Sequence, residues 1–259
     1  MTKQGFDVRI VQYEHIHSIS PEDEKALVEA INPKPGEKIL DAFCGYGAVS
    51  KNLLKKEDKA NLWLNDESEV QIKRAIENLP DLSRDHFILG NFLKVDFEDK
   101  LFDKVVVKMG LHEVSKKLQL NVAKKIYKIL KPKGKLIIWD IMLNNDTQNL
   151  WQDIIRKKDE LAGFDMLTRE RYFFREDEFL ETMKKAKFSE VKYFHTVNYR
   201  FSSRKRLESE LHNETKRLDQ LNEFIRMRFP ENLKQTLKYE DSGDDIQFNT
   251  VKKIYVMKK

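Results

Sequence analysis

Two glycines and an acidic residue stand close together after the first apolar run of the chain. Asp41 ends the run that begins at Lys38, and Gly45 and Gly47 follow it just before a helical segment. Because glycine lacks a Cβ atom and tolerates unusual backbone angles, such a turn lets backbone N–H groups approach a ligand closely. Open α/β sheets bind ligands at the carboxyl ends of their strands, where Asp41 stands. The pattern predicts a nucleotide-like ligand at this turn.

A second acid ends the next apolar run. Residues 61–66 read Asn-Leu-Trp-Leu-Asn-Asp, and a helical segment over 68–78 follows. A carboxylate at the tip of the second strand is placed to accept hydrogen bonds from both hydroxyls of a ribose. Asp66 would also suit the N-cap of the following helix, and one side chain can serve both roles. The two acids and the glycine turn therefore predict a βαβ unit that binds an adenosine-containing cofactor.

Five segments, in their order and spacing, resemble the motifs of the class I S-adenosylmethionine-dependent methyltransferases. The resemblance covers residues 36–142, and the remainder of the chain shares only the layout. The segments are Asp41–Gly47 (an acid followed by G-x-G), Asp66, Phe87–Phe92, Phe102–Val114 and Leu130–Asp140.

This resemblance implies S-adenosyl-L-methionine as the cofactor and assigns its site residue by residue. Asp66 would bind the ribose, Asn91 matches the polar residue that reads the adenine amino group, and His112 stands in a loop that runs along the cofactor. That loop is common in members that act on small molecules, so a small-molecule acceptor, methylated on oxygen or carbon, is expected. The expected cofactor residues are Asp41, Phe43, Gly45, Gly47, Asp66, Asn91, Phe92, Met109 and His112.

Other functions stay open at this point. The family's fullest first motif has glycine where this chain has Phe43, and the phenylalanine form also occurs in nucleic-acid methyltransferases. The Asn/Asp-Pro-Pro-aromatic motif of enzymes that methylate base amines is absent. A dehydrogenase is disfavoured because Ser50 stands at the third glycine of the dinucleotide fingerprint. The alternatives are an RNA or protein methyltransferase and a cofactor-binding regulator without catalysis.

Three side chains are candidates for catalysis. Transfer from a sulfonium is a direct displacement, and a base is needed only if the acceptor is a hydroxyl or a weak carbon acid. His112 follows the predicted fourth strand, whereas His15 and Tyr13 stand in an N-terminal segment that often folds over the pocket in this family. No metal site is expected, because His15 and His17 have no further Cys or His near them in the sequence.

Charge, cysteine content and hydropathy limit the kinds of partner and the cellular location that are expected. The net charge is +5, yet basic and acidic residues alternate, as in Arg-Lys-Arg-Leu-Glu-Ser-Glu over 204–210. Such mixing is typical of solvated helix faces and disfavours a nucleic-acid partner without excluding one. The single cysteine, Cys44, fits a reducing cytoplasm. No apolar run approaches the roughly 20 residues of a membrane helix, and residues 1–7 lack the apolar stretch of a signal peptide. A cytoplasmic protein without membrane insertion is expected, in an oligomeric state that the sequence does not reveal.

The expected fold is α/β: a Rossmann-like sheet, mostly parallel with an antiparallel last strand, flanked by helices and carrying helical cap insertions. Ser20 is predicted to cap a helix that ends near Ile31, and one crossover helix is predicted from Leu111 to Leu130. The expected parts are an N-terminal segment and helix (1–35), the cofactor-binding core (36–142), a helical lid (143–175), a core helix and strand (176–201), a second helical insertion (202–247) and the closing strand (248–259).

The two insertions are expected to pack together over the cofactor's methyl end and to enclose a largely apolar pocket for the acceptor. Two aromatic groups, Tyr172–Phe174 and Tyr193–His195, are candidates for lining this pocket, although core packing would also explain them. Valine in place of either turn glycine is expected to block cofactor binding while the fold survives.

Overall fold

The computed structural model describes residues 20–259, so the candidates Tyr13 and His15 lie outside the described residues. Over this range the strands form one eight-stranded sheet. They are β1 Lys38–Ala42, β2 Asn61–Asp66, β3 Phe87–Leu89, β4 Phe102–Lys108, β5 Leu130–Ile141, β6 Ser189–Ser202, β7 Glu240–Asp241 and β8 Ile246–Lys258.

The sheet order is β3-β2-β1-β4-β5-β8-β6, with the short β7 paired to β8. Neighbours among β1 to β5 pair in parallel, and β8 runs antiparallel to β5 and β6. The predicted Rossmann-like sheet with an antiparallel last strand is therefore confirmed.

The α-helices follow the strands along the chain. They are α1 Pro21–Ile31, α2 Ala48–Lys56, α3 Glu69–Asn78, α4 Lys116–Ile129, α5 Asn145–Leu161, α6 Asp165–Glu170, α7 Glu176–Lys185, α8 Lys205–Ser209, α9 Thr215–Arg228 and α10 Glu231–Lys234. None of the helices described over residues 20–259 is both long and apolar enough to cross a membrane.

Helices cover both faces of the sheet because successive strand residues point to opposite sides. On β4, Val105 and Val107 belong to one apolar cluster with α4 and α7. Val106 belongs to a second cluster, with α1, α2 and α3. Burial on both faces explains why the central strands read as continuous apolar runs.

Helix α1 begins and ends as the sequence predicts. The Ser20 hydroxyl accepts a hydrogen bond from the Asp23 N–H at 3.1 Å, and Pro21 occupies the first helical position. The helix ends at Asn32, whose φ of 45° is left-handed. Acidic residues in the first turn further favour this helix start.

The predicted crossover helix from Leu111 to Leu130 is wrong at its start. Leu111–Glu113 forms a separate 3₁₀ turn, and α4 begins only at Lys116. The Gln119 amide of α4 donates hydrogen bonds to the carbonyls of Leu111 and Val114. These tertiary bonds hold the turn apart from the helix and position His112 at its centre.

The two predicted insertions form one helical body, here called the cap: α5 and α6 from the first, and α8, α9 and α10 from the second. Helices α5 and α9 pack against each other. Their predicted apolar stripes are buried in a third cluster, which includes Ile154, Leu221 and Ile225. The ends of β6 and β8 reach this cluster through Phe201 and Phe248, whose rings stack at 4.8 Å. The cap is therefore attached to the sheet by two long, paired strands.

Candidate active site

The glycine turn is fastened to the end of β2. The Gly45 N–H donates a hydrogen bond of 2.8 Å to one carboxylate oxygen of Asp66, and the Ser68 N–H donates one of 2.9 Å to the other. Ser68 is the N-cap of α3, since its hydroxyl accepts from the Gln71 N–H at 3.2 Å. Asp66 therefore does not cap the helix, and it is half-buried beside the turn that the sequence assigns to the cofactor.

The two turn glycines have different surroundings. Both have positive φ angles, 53° at Gly45 and 79° at Gly47. A Cβ atom added at Gly45 would meet no atom within 4 Å, so this position faces open space. At Gly47 a Cβ atom would lie 3.1 Å from Leu79 and 3.2 Å from Leu64, inside the apolar core. The expectation that the fold survives a valine at Gly47 stays a prediction, and the crowding with the core together with the positive φ argues against it.

Three loops converge beside Gly45. The Phe43 ring lies 5.3 Å from the Phe92 ring, and a Cβ atom on Gly110 would lie only 2.6 Å from the Cβ of Phe43. Met109 precedes this contact with a φ of 56°, and its N–H donates to the Trp139 carbonyl at 2.7 Å. The loops after β1, β3 and β4 thus meet at one edge of the sheet, as their motifs predict.

Asn91 and Asp41 stand at the two extremes of exposure in this group. Asn91 is exposed, and its amide donates to the Glu67 carboxylate at 2.8 Å. Asp41 is buried and accepts a hydrogen bond of 2.8 Å from the Ser50 hydroxyl. Burial raises the pKa of Asp41 to about 7, against the opposing effects of Ser50 and Lys108.

A pocket lies between this edge of the sheet and the cap. The hollow measures about 430 Å³ when the open solvent at its mouth is included. Met109 and His112 form its wall on the side of the β4 loop. The cap contributes Trp151, Ile155, Lys158, Arg171, Phe173, Arg206 and Glu210. Both insertions thus cover the pocket. Its lining combines apolar and aromatic side chains with ionised ones, which the expectation of an apolar pocket did not include.

His112 is held between two carboxylates. Its Nδ1 lies 2.6 Å from Asp140, and its Nε2 lies 3.2 Å from Glu113. The ring stacks on Phe173 at 4.6 Å. Burial alone would lower the pKa of His112, but Asp140 and Glu113 outweigh burial and raise it from 6.5 to about 9. The imidazole is therefore protonated at neutral pH, which weighs against a role as proton acceptor there.

Ion pairs continue from His112 into both parts of the cap. Arg171 donates to both oxygens of Glu113, at 2.8 and 2.7 Å, and to Asp159 at 2.9 Å. Lys158 contacts Asp159 at 2.8 Å and Glu210 at 2.7 Å. The set, here called the buried ion network, comprises His112, Glu113, Asp140, Lys158, Asp159, Arg171, Arg206 and Glu210.

The sequence did not reveal this network. Residues 204–210 were interpreted as a solvated helix face, which is wrong for Arg206 and Glu210, since these are only 4% and 5% exposed. One sequence feature does point to this site: Asp140 stands near the carboxyl end of β5, directly after an apolar run. Ligand sites occur at such strand ends.

The two predicted aromatic groups are placed differently. Phe173 lines the pocket, whereas Phe174 is buried in the core between the sheet and α7. Tyr193 and Phe194 are exposed on β6, at 55% and 44%, and His195 contacts Asp23 of α1 at 2.9 Å. The expectation that Tyr193–His195 lines the pocket is therefore wrong. Over residues 20–259, no three side chains of His, Cys, Asp or Glu are grouped to hold a metal ion.

Comparison with known proteins agrees with this geometry. A family model described as "Methyltransferase domain" matches residues 33–239. Sterol 24-C-methyltransferase ERG6B of Gibberella zeae is 30% identical over 167 residues, which cover 61% of this chain and 40% of that protein. The ubiquinone/menaquinone biosynthesis C-methyltransferase UbiE of Cereibacter sphaeroides is 24% identical over 184 residues, covering 65% and 72%. The chain therefore spans about two-fifths of the sterol methyltransferase it matches.

Solved structures show the same fold at low sequence identity. The crystal structure of BH2331 from Bacillus halodurans superimposes with a TM-score of 0.76 at 17% identity, covering 92% of this chain and 99% of that one. A phosphoethanolamine N-methyltransferase 2 from Haemonchus contortus, in complex with S-adenosylhomocysteine, has a TM-score of 0.58 at 18% identity and covers 100% and 59%. Because the family model matches more than half of the chain, this protein belongs to the methyltransferase domain family, within the class I S-adenosylmethionine-dependent methyltransferases that its sequence resembles.

Proposed function

We propose that this protein transfers a methyl group from S-adenosylmethionine to a small molecule held between the sheet and the cap. The observation that carries the proposal is the pocket beside Met109 and His112, which the cap covers from both insertions. The covering of this pocket by both insertions favours a small molecule over a folded RNA. The names of the matched sterol and quinone enzymes favour carbon as the methylated atom.

The residues at the edge of the sheet fit the proposed cofactor. Gly45 faces open space next to the Asp66 carboxylate. This space leaves room for a ribose whose hydroxyls could donate hydrogen bonds to Asp66. Asn91 is exposed near this edge and is assigned to the adenine amino group. We assign Phe43, Phe92 and Met109 to apolar contacts, and the backbone of Gly45 to a close approach to the ligand.

The pocket's own contribution would be to hold the acceptor in place. When bound, S-adenosylmethionine supplies an electrophilic methyl carbon, and displacement at that carbon requires in-line geometry. Glu113 is bound by Arg171, and His112 is bound by two carboxylates, so neither is poised to accept a proton. We therefore propose that His112 positions the β4 loop. We further propose that the acceptor reacts without losing a proton to His112 or Glu113.

The first prediction tests the cofactor site through Asp66→Ala. The variant should bind S-adenosylmethionine more weakly by about 1.5–3 kcal/mol, the scale of hydrogen bonds to a charged group. Isothermal titration calorimetry measures this loss, with the exposed Asp81→Ala as the matched control. Equal affinities for the two variants, with equal melting temperatures, would remove Asp66 from the proposed ribose site.

Catalysis itself is tested by incubating the protein with a labelled methyl donor and pooled metabolites, followed by mass spectrometry. Label in a small molecule supports the proposal, whereas label only in RNA or in protein would replace it with the alternative methyltransferases. Tight cofactor binding without transfer to any class would indicate a regulator. We also propose a cytoplasmic location, supported by the presence of a single cysteine, Cys44, which is buried.

A further inference from the structure

Lys252 of β8 is a buried cation in the proposed acceptor pocket. Its residue is only 5% exposed, and it lines the pocket together with Met109 and His112. The ammonium lies 4.1 Å from the centre of the Tyr199 ring, a cation–π contact. The side chain therefore faces the space between the sheet and the cap.

The other cations that line this pocket each have a carboxylate partner. His112 contacts Asp140, Arg171 contacts Glu113 and Asp159, Lys158 contacts Asp159 and Glu210, and Arg206 contacts Glu210. Over residues 20–259, Lys252 makes no ion pair or hydrogen bond to a carboxylate. Burying an unpaired ammonium is costly, because little replaces the water that it loses.

The charged groups that act on Lys252 lie on four elements. Lys108 on β4 and Arg206 on α8 repel its charge, while Asp140 on β5 and Asp23 on α1 attract it at longer range. Burial, followed by the two cations, lowers the pKa of Lys252 to about 7. An added negative charge at this point would be stabilised by the same surroundings that disfavour the ammonium.

Trp151 lines the same pocket and also a second, smaller hollow. Its buried indole N–H has no hydrogen-bond acceptor among residues 20–259, although its ring packs edge-on against Phe173 and Tyr199. A buried donor without a partner is uncommon in folded proteins. Lys252 has no carboxylate partner and is repelled by Lys108 and Arg206, so a negatively charged acceptor of hydrogen bonds is the complementary ligand group.

We propose that the methyl acceptor carries an anionic oxygen group, a carboxylate or a phosphate, which binds the Lys252 ammonium beside Arg206. This inference rests on the proposed function, since it takes the pocket as the acceptor site. It defines the substrate class as an acid with an aromatic or apolar body, matched to the rings of Trp151, Phe173 and Tyr199.

The test compares benzoate with its neutral counterpart benzamide, and adds inorganic phosphate as a second probe. Calorimetry on the full chain with S-adenosylhomocysteine should show benzoate binding at least tenfold more tightly than benzamide. Lys252→Met should abolish this preference, while Lys252→Arg should restore part of it. The matched control is Lys253→Met, which removes the neighbouring cation of β8, one that pairs with Glu176. Tighter binding of phosphate than of benzoate would identify the phosphate form of the acceptor.

Two further readouts separate this inference from the proposed function. Benzoate binding at pH 7.5 should take up protons, seen as a dependence of the binding heat on the buffer's ionisation enthalpy, because the anion raises the pKa of Lys252. Lys252→Met should melt at an equal or higher temperature than the wild type, since it removes an unpaired buried charge. Equal binding of benzoate and benzamide, or a marked fall in melting temperature, would overturn the inference. Failure of the wild type to bind S-adenosylhomocysteine would instead overturn the proposed function.

Discussion

The environment of His112 changes what this residue contributes. A histidine that follows the fourth strand is a natural candidate for a general base, but a base needs a free nitrogen near neutral pH. Here Asp140 and Glu113 hold both ring nitrogens, and Phe173 covers one face of the ring. The same contacts fix the 3₁₀ turn against β5, because the His112 N–H also lies 3.3 Å from the Asp140 carboxylate. His112 therefore acts as an ionic anchor for the β4 loop.

The pKa of His112 leads to a prediction about stability. A pKa raised from 6.5 to about 9 means that the imidazolium stabilises the folded state fully below pH 6.5 and loses this contribution as pH rises through 9. The destabilisation caused by His112→Asn should therefore be smaller at pH 10 than at pH 6, by about 3 kcal/mol. Urea unfolding of both proteins at each pH measures this difference.

The control for that experiment uses the carboxylate partner. In an Asp140→Asn background the largest charge that raises the pKa of His112 is gone, so the pH dependence of the His112→Asn effect should shrink. An effect of His112→Asn that is constant from pH 6 to pH 10 would mean that the pKa of His112 is not raised in the folded protein.

At this scale the sequence predicted the residues that gather at one edge of the sheet better than those of the ion network. Gly45, Asp66 and Met109 were predictable because strand ends in an open sheet converge on one edge. Lys158 and Glu210 were not, because they are 52 positions apart in the chain and meet only through the packing of the cap. A segment of mixed charges gives the same sequence pattern whether its side chains face water or form ion pairs with a distant segment, so the pattern does not distinguish the two.

The glycine turn combines two requirements within three residues. Gly45 faces the open cleft, so its lack of a side chain leaves space for a ligand, whereas Gly47 allows α2 and α3 to pack closely on the sheet. Sequence reasoning assigned both glycines to the ligand, because it could not show the direction of their missing Cβ atoms. The neighbours Leu64 and Leu79 reveal that direction only in the folded chain.

Alanine at each glycine should separate these requirements. Gly45→Ala should cost about 1 kcal/mol of unfolding free energy, from its positive φ alone. Gly47→Ala should cost about 2–3 kcal/mol, because its Cβ also crowds Leu64 and Leu79. Urea unfolding gives both values, and calorimetry with S-adenosylmethionine shows whether binding survives. Equal costs at the two positions would contradict the assignment of Gly47 to core packing.

Most elements were predictable because their signals are local. Ser20 and Pro21 mark the start of α1, and the apolar runs ending at Asp41 and Asp66 mark β1 and β2. The 3₁₀ turn at Leu111–Glu113 was missed because long-range bonds, from Asp140 and from the Gln119 side chain, hold it out of the helix. Propensity favours a helix over that stretch, and tertiary contacts override it.

Seen as a whole, the molecule has two bodies, the sheet and the cap, joined by the β6–β8 strand pair and by the buried ion network. The sheet has apolar clusters on each face, and the cap has its own, to which Phe201 of β6 and Phe248 of β8 contribute. These strands pair from Ser189 with Lys258 to Ser202 with Gln247, so the same ladder runs through sheet and cap. The proposed acceptor pocket lies where the two bodies meet, so its shape depends on how firmly the cap is held.

The two halves of the cap should therefore behave as one energetic unit. Ile154 of α5 and Leu221 of α9 are fully buried in the same cluster, so each change to alanine should cost about 2–5 kcal/mol of unfolding free energy. Because the residues share a cluster, the double variant should depart from additivity by about 0.5–3 kcal/mol. A matched control pairs Ile154→Ala with Val105→Ala of the sheet core, which belongs to a different cluster and should be additive.

Tryptophan fluorescence during urea unfolding measures these energies and also tests whether cap and sheet unfold together. Trp151 reports on the cap, whereas Trp63 and Trp139 report on the sheet. Phenylalanine at Trp151 leaves only the sheet probes, and phenylalanine at both Trp63 and Trp139 leaves only the cap probe. The continuous β6–β8 ladder predicts coincident transitions for the cap and sheet probes. If Trp151 reports a transition at clearly lower urea than the sheet probes, the cap unfolds independently, and the proposed acceptor pocket would open while the sheet stays folded. In the double variant, additive effects of Ile154→Ala and Leu221→Ala on the free energy of unfolding would show that the two insertions contribute separately. That result would contradict a single cap.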